Sequence, residues 1–349
     1  MLLLFFWLIW VVLPLFSAPQ LQPALSQQLW DKTPALALGS SGTLGWRISP
    51  HEARFIPLNG DPAGPALALS DAPQAAVTSS AADAVLLNVQ GALLLMQPRI
   101  DHHHGEWYFP LGDRPLRLPQ GAASQMALAQ TGEGQWRIAA QTPAGISVLT
   151  LAGQQQVSQV VLPQQHADQL LLSPDGTQLF TSRERQLQVW QISAGGAELR
   201  ETQALTHPVA SLHMLAGGRS LLIRDDRGVS QWFAITGERG PCLQKIKTWH
   251  GSQGAQGVVT EPQRRVFASW DGQGVLSLFA SKQSGPILTR QLAPGIQAVA
   301  FSPRGDGLIV ERAGHWQQFR LDNPWPDVTW RNLWQKIWYE NYPQPDWVW

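Results

Sequence analysis

The sequence predicts an all-β fold, a seven-bladed β-propeller, with an N-terminal transmembrane helix and a short C-terminal amphipathic helix. Three observations predict it. Short apolar segments separated by Gly-, Pro- and Asp-containing turns recur with a period of about 40–50 residues, the spacing of propeller blades. Helical periodicity is almost absent from residues 35–321, which argues against helical repeats of similar length. Hydrophobic residues make up 44% of the 349 and charged residues only 14%, so there is ample apolar material for a large β core.

The repeat is clearest at Leu170–Ile192, LLLSPDGTQLFTSRERQLQVWQI. Ser173-Pro174-Asp175-Gly176 is a turn in which proline presets φ and glycine accommodates the change of chain direction. The same shape recurs at Ala210–Ile235, Val258–Phe279 and Ala298–Leu321. A large apolar residue anchors the third strand of each unit: Trp190, Trp232, Phe279 and Phe319. Towards the N-terminus the same register gives Leu149, Leu95 and Trp46, with spacings along the chain of 49, 54, 41, 42, 47 and 40 residues. No unit can bury both of its faces alone, so neighbouring units must stack. The first three units are the more degenerate, which leaves six or eight blades as alternatives, and two stacked β-sandwiches as a different architecture. Trp270-Asp271 supplies a WD dipeptide, a WD40-like cue, although it stands before the anchor strand and lacks the usual Gly-His partner.

The domain boundaries follow from composition. Leu2–Phe16, LLLFFWLIWVVLPLF, is uninterruptedly apolar, and no charge appears before Asp31 and Lys32. Such a helix spans about 25 Å, against the roughly 30 Å of a hydrocarbon core. Proline after Ser17-Ala18 and the lack of a basic n-region disfavour a cleaved signal peptide. Residues 1–18 therefore read as an anchor, residues 19–34 as a Pro/Gln/Ser-rich linker, and 35–321 as the propeller. In 322–349 the pattern changes. Asp327 is an N-cap candidate, and Trp330, Leu333, Trp334, Ile337 and Trp338 share one helical face. Six of the seventeen tryptophans lie in 325–349. Trp330, Trp334 and Trp338 are the candidate membrane-interfacial residues, since indole prefers that boundary; docking of this helix on the propeller is the alternative.

Nothing in the sequence assembles a catalytic or metal site, and no cofactor is implied. Asp101-His102-His103-His104 is the most conspicuous cluster, but consecutive strand residues point to opposite faces and no second ligand group has metal-site spacing. It reads as a solvated inter-blade loop, with a metal-dependent propeller hydrolase as the competing idea. His207, His213, His250 and His315 are scattered singly. Lone Cys242 cannot form an intrachain disulfide. There is no phosphate-binding glycine loop and no G-x-S-x-G elbow. Lys+Arg and Asp+Glu are both 25, so no global field recruits nucleic acid.

The two ends together carry a resemblance. LLFFWLIWVVLPLF resembles the first transmembrane helix of the permease subunit of phosphate ABC transporters in gamma-proteobacteria. Leu333–Trp349, LWQKIWYENYPQPDWVW, is similar to the stretch leading those permeases into their second transmembrane helix, with Tyr339–Asp346 its most specific part. The form resembled is the long one, with a WD40-like domain inserted in the periplasmic loop between these helices. The resemblance implies an inner-membrane protein with its propeller in the periplasm. Its partners would be a second permease, an ATPase and a phosphate-binding protein. It spans only the first part of the family's length, so a fragment lacking the permease core is expected and no translocation-path residue can be assigned. A free-standing, membrane-anchored periplasmic scaffold is the competing expectation.

Overall fold

The computed structural model describes residues 18–322, apart from 30, 42, 60, 62–63, 80–83, 102–103, 237–241, 262–263, 303–304 and 313, together with residues 3, 6, 7, 9 and 10. The return helix and its tryptophans Trp330, Trp334 and Trp338 lie outside the described residues, as does most of the anchor. Among the described residues no helix is long and apolar enough to cross a membrane.

The described chain forms seven four-stranded antiparallel sheets. Blade 1 is β2 (Ala37–Ser41), β3 (Leu44–Ile48), β4 (Glu52–Pro57) and β5 (Ala66–Ala68). Blade 2 is β6 (Ala75–Thr78), β7 (Val85–Val89), β8 (Ala92–Asp101) and β9 (His104–Tyr108). Blade 3 is β10 (Met126–Gly132), β11 (Gln135–Thr142), β12 (Gly145–Ala152) and β13 (Gln155–Pro163). Blade 4 is β14 (Gln169–Leu172), β15 (Gln178–Arg183), β16 (Gln186–Ser193) and β17 (Gly196–Ala204). Blade 5 is β18 (Val209–Leu215), β19 (Ser220–Asp225), β20 (Ser230–Ile235) and β21 (Leu243–Trp249). Blade 6 is β22 (Gly257–Thr260), β23 (Val266–Trp270), β24 (Val275–Ala280) and β25 (Leu288–Gln291). Blade 7 takes β26 (Ala298–Phe301), β27 (Gly307–Arg312) and β28 (His315–Asp322) from the end of the repeat, and its outer strand, β1 (Gln20–Gln28), from the beginning of the chain.

The ring is closed. The first strand of every blade touches the first strand of the next, from β2 to β6 and on round to β26, which returns to β2. The fold is therefore an all-β, seven-bladed propeller, as the period predicts. Its apolar core consists of seven clusters, each shared by two consecutive blades. Leu86 and Leu95 of blade 2, for instance, pack with Leu128 and Trp136 of blade 3. This is the stacking that a half-apolar repeat requires.

Two sequence expectations are corrected. The stretch 19–34 is not simply a linker, because Gln20–Gln28 is a strand paired antiparallel along β28. Its polar composition suits an outer strand. Pro23, which cannot donate a ladder hydrogen bond, is tolerated where one edge has no partner. The second correction concerns Trp46. Six of the seven anchors sit on third strands, but Trp46 is on β3, a second strand, and Phe55 on β4 faces it across the ladder. The reason is visible in the packing. A Cβ on Gly39, directly across from Trp46, would fall inside the indole. Gly257 and Trp270 repeat this arrangement in blade 6. Trp46 thus belongs to the register of the second-strand tryptophan.

The turns behave as their residues predict. In the β14–β15 turn the Gly176 N–H donates to Ser173 O at 2.8 Å, and Asp175 Oδ1 accepts from Thr177 N–H at 3.0 Å. Asp225 and Asp271 do equivalent work between second and third strands. Each Oδ1 accepts the N–H groups two and four residues on, at 2.8–3.0 Å.

Candidate functional site

The place where the two ends of the domain meet is the first candidate. The β1–β28 ladder begins with Gln20 opposite Asp322 and runs to Gln28 opposite His315. Gln20 and Asp322 are therefore neighbours at one end of one strand pair. Leu21, only 3% exposed, is the residue of β1 that enters the core.

Beyond β1 the chain crosses to blade 1 and supplies Asp31 to a buried ionic cluster. The Arg47 Nε donates to both oxygens of Glu311, at 3.0 and 2.9 Å. Its Nη1 donates to Asp31 Oδ2 at 3.0 Å, and its Nη2 to the Thr33 carbonyl. Arg47 stands on β3 of blade 1, Glu311 on β27 of blade 7, and Asp31 on the connection between them. The side chains of Arg47 and Glu311 are 1% and 0% exposed. For Asp31, burial works upward, but hydrogen bonds from Ser49, Thr33 and Arg47 outweigh it and hold the carboxyl well below its usual range. For Glu311, burial is the largest influence and outweighs the pull of Arg47, so its carboxyl is pushed up. A charge cluster this enclosed does not meet substrate. Its chemistry is to fix how blade 7 seats on blade 1.

A shallow pocket of about 150 Å³ lies beside the β1 bulge, lined by residues 23–26 and 317–319. Small-molecule sites usually enclose about 300–1,000 Å³, so this one is too small for such a role.

The second candidate lies on the inner strand of blade 5. His213 Nε2 is 2.9 Å from Ser211 Oγ. Arg224 Nε, on the neighbouring strand, donates to the same Oγ at 3.2 Å, and Nη1 donates at 3.1 Å to the carbonyl of Ala255, on the connection between β21 and β22. Two strand residues apart puts Ser211 and His213 on one face. Burial first, and Arg224 second, push the imidazole down to about 4. Both influences favour the neutral imidazole; the ring tautomer sets the direction of the Nε2–Oγ hydrogen bond, while Arg224 donates to the same oxygen. A serine held by a guanidinium in this way is a polar link between the inner strands of blade 5 and the connection that leads to blade 6. Sequence reading sees only scattered residues here, because the contact depends on strand pairing.

The clusters noted in the sequence fall elsewhere. Asp101 and His104 face each other where β8 and β9 meet, both exposed. Among the described residues no group of three His, Cys, Asp or Glu side chains is placed to hold a metal. Cys242 is buried, and its N–H and that of Leu243 both donate to Glu201 Oε2 of blade 4. Trp270-Asp271 spans the end of β23 and its turn.

The chain matches no protein-family model and no curated protein.

Proposed function

We propose that this chain is the propeller-bearing portion of the membrane permease subunit of a phosphate ABC transporter. In this reading the propeller stands in the periplasm as a docking or regulatory platform, and the chain itself catalyses nothing. One observation carries the proposal: the Gln20–Asp322 pairing, which sets the first residue of β1 beside the last residue of β28. A domain whose ends are adjacent can be carried in a single loop without spreading the segments on either side. Those segments here are the apolar 2–16 run and the tryptophan-rich 325–349 stretch, the two places where the family resemblance lies. The first would anchor, and Trp330, Trp334 and Trp338 would sit at the membrane interface. The partners would be a second permease, the ATPase and the phosphate-binding protein.

Two experiments test this. Expressed in a Gram-negative host, the chain should fractionate with the inner membrane. Its propeller should become protease-accessible once the outer membrane is permeabilised; accessibility only from the cytoplasmic side would overturn the topology. In a pull-down, the detergent-purified chain should retain the phosphate-binding protein. No retention at high micromolar concentration would remove the docking role.

A further inference from the structure

The charges of the propeller are sorted on one of its faces. Strands alternate in direction within a blade. First-to-second and third-to-fourth turns therefore lie on one face of the ring, and second-to-third turns and inter-blade connections on the other. The first-to-second turns touch their neighbours round the ring. The Ala216 N–H donates to the Arg264 carbonyl at 3.2 Å, and a Cβ on Gly218 would meet Pro174. On this face blades 1–4 and 7 expose Asp61, Asp101, Glu133, Asp175 and Asp306. Blades 5 and 6 differ. Among the described residues their turns, with the start of β21, expose Arg219, Lys245, Arg265 and Lys282. The carboxylate described there, Glu261, is 2% exposed and accepts from the Arg264 N–H.

The backbone under these cations is tied down. The Ile235 N–H donates to the Arg219 carbonyl, and the Ser281 N–H to the Arg265 carbonyl, each at 3.1 Å. The Arg265 guanidinium lies 5.5 Å from the centroid of the Trp232 ring. Lys247 Nζ donates to the carbonyls of Ser281 and Gln283, which flank Lys282, at 2.9 and 2.8 Å. Blade 5 thus adds a fixed cation to the turn of blade 6.

The domain begins and ends on this same face. Gln20 starts the fourth strand of blade 7 and Asp322 ends the third. The apolar run closes at Phe16, four residues before Gln20, and four residues span at most about 14 Å. A bilayer that holds this run lies within that reach of Gln20, and blade 6 is the next blade round the ring. Basic side chains are drawn to an anionic bilayer over roughly a Debye length, about 8–10 Å.

We infer that the turns of blades 5 and 6 bind anionic phospholipid head groups. Arg219, Lys245, Arg265 and Lys282 meet the phosphates, and the propeller lies with this face against the membrane. The inference rests on residues 2–16 acting as the anchor.

The test uses the full chain and vesicles. Flotation with neutral phosphatidylcholine vesicles checks the anchor alone; a chain that does not float overturns both the anchor and this inference. Orientation is read separately, from a fluorophore on Ser284→Cys in the basic turn of blade 6 or on Gln273→Cys in its second-to-third turn. Both sites are exposed, and Cys242 is buried. In vesicles containing phosphatidylglycerol, nitroxide-labelled head groups should quench the Ser284→Cys label at least about twofold more than the Gln273→Cys label. The excess should vanish in neutral vesicles. It should also vanish when Arg219→Glu, Lys245→Glu and Lys282→Glu are combined, with Tm within a few degrees because all three sites are exposed. It should persist when inorganic phosphate replaces chloride at constant ionic strength. Equal quenching at the two sites overturns the lipid-binding surface and leaves the anchor standing. So does an excess that survives in neutral vesicles or in the triple variant, or one that inorganic phosphate abolishes.

Discussion

Between blades 5 and 6 the contact is made of rings. Trp249 stacks on Trp232 at 6.2 Å and meets Phe267 edge-on at 4.9 Å, and Phe267 stacks on Phe279 at 4.9 Å. The Trp249 Nε1 also donates to the Gln283 carbonyl of blade 6 at 3.0 Å. Between blades 7 and 1 the apolar patch is joined by Arg47, Glu311 and Asp31. Trp316 of blade 7 packs there so closely on Gly45 of blade 1 that a Cβ would not fit. The two seams differ in what must be specified. Blades 5 and 6 are consecutive in sequence, so covalent connection already sets their order, and burial of aromatic area supplies the adhesion. Blade 1 and three of the four strands of blade 7 come from opposite ends of the repeat. Their closure needs a partner chosen from a distance, and a charge cluster penalises every wrong seating through unpaired buried charge.

The largest expected effect comes from removing closure altogether. Deleting Gln20–Gln28 leaves blade 7 with three strands and exposes the core around Phe319, Leu321 and Val310. Chemical unfolding followed by tryptophan fluorescence should then show no cooperative transition. A sharp transition at the wild-type midpoint would mean that β1 is dispensable.

Arg47→Ala comes next. It strands Glu311 in the core, and denaturant midpoints should fall by the equivalent of about 3–5 kcal/mol. Arg47→Met combined with Glu311→Leu should recover most of that loss, because the penalty lies in the unpaired charge. Equal loss in the single and double variants would mean that the seam depends on the ion pair itself.

His213, on β18 of blade 5 beside Ser211 and Arg224, sharpens the comparison because it titrates. Its folded pKa is depressed to about 4, so the unfolded chain binds the proton more readily. The contribution is fully present above the usual imidazole range. It is lost as pH falls from the usual imidazole range towards 4. His213→Gln should flatten this part of the stability–pH curve. Asp31 has the same sign at lower pH: its depressed pKa stabilises the fold above the carboxylate range, and that share is lost on further acidification. The smallest effect is expected for Trp249→Phe. It gives up one hydrogen bond and part of a stack, and thermal and denaturant melts should register about 1–2 kcal/mol.

Legibility followed burial. Strands such as VLLNV of β7 and LQVW within β16 read directly, because their apolar runs are buried by neighbouring blades. Outer strands such as β17, GAELRETQA, are half wet and blend into loop composition. That is why β1 reads as a linker. Trp46 reads one strand out of place for a related reason: an indole over a glycine fills the same space from the second strand as another anchor fills from the third. Neither the ionic cluster nor the Ser211–His213–Arg224 contact leaves a local mark, since their members lie 264 residues apart in one case and on two paired strands in the other.

The sequence by itself determined the class of fold and the period, and it favoured seven blades over six or eight. Periodic burial and turn chemistry are local properties, and each repeat carries its own copy. It also determined that the flanks of the domain are apolar and tryptophan-rich. Only the tertiary structure decided how the ring closes, which strand completes the last blade, and that Gln20 and Asp322 are neighbours. These depend on pairing between residues hundreds of positions apart, where loop-closure entropy must be overcome by contacts that no local pattern records.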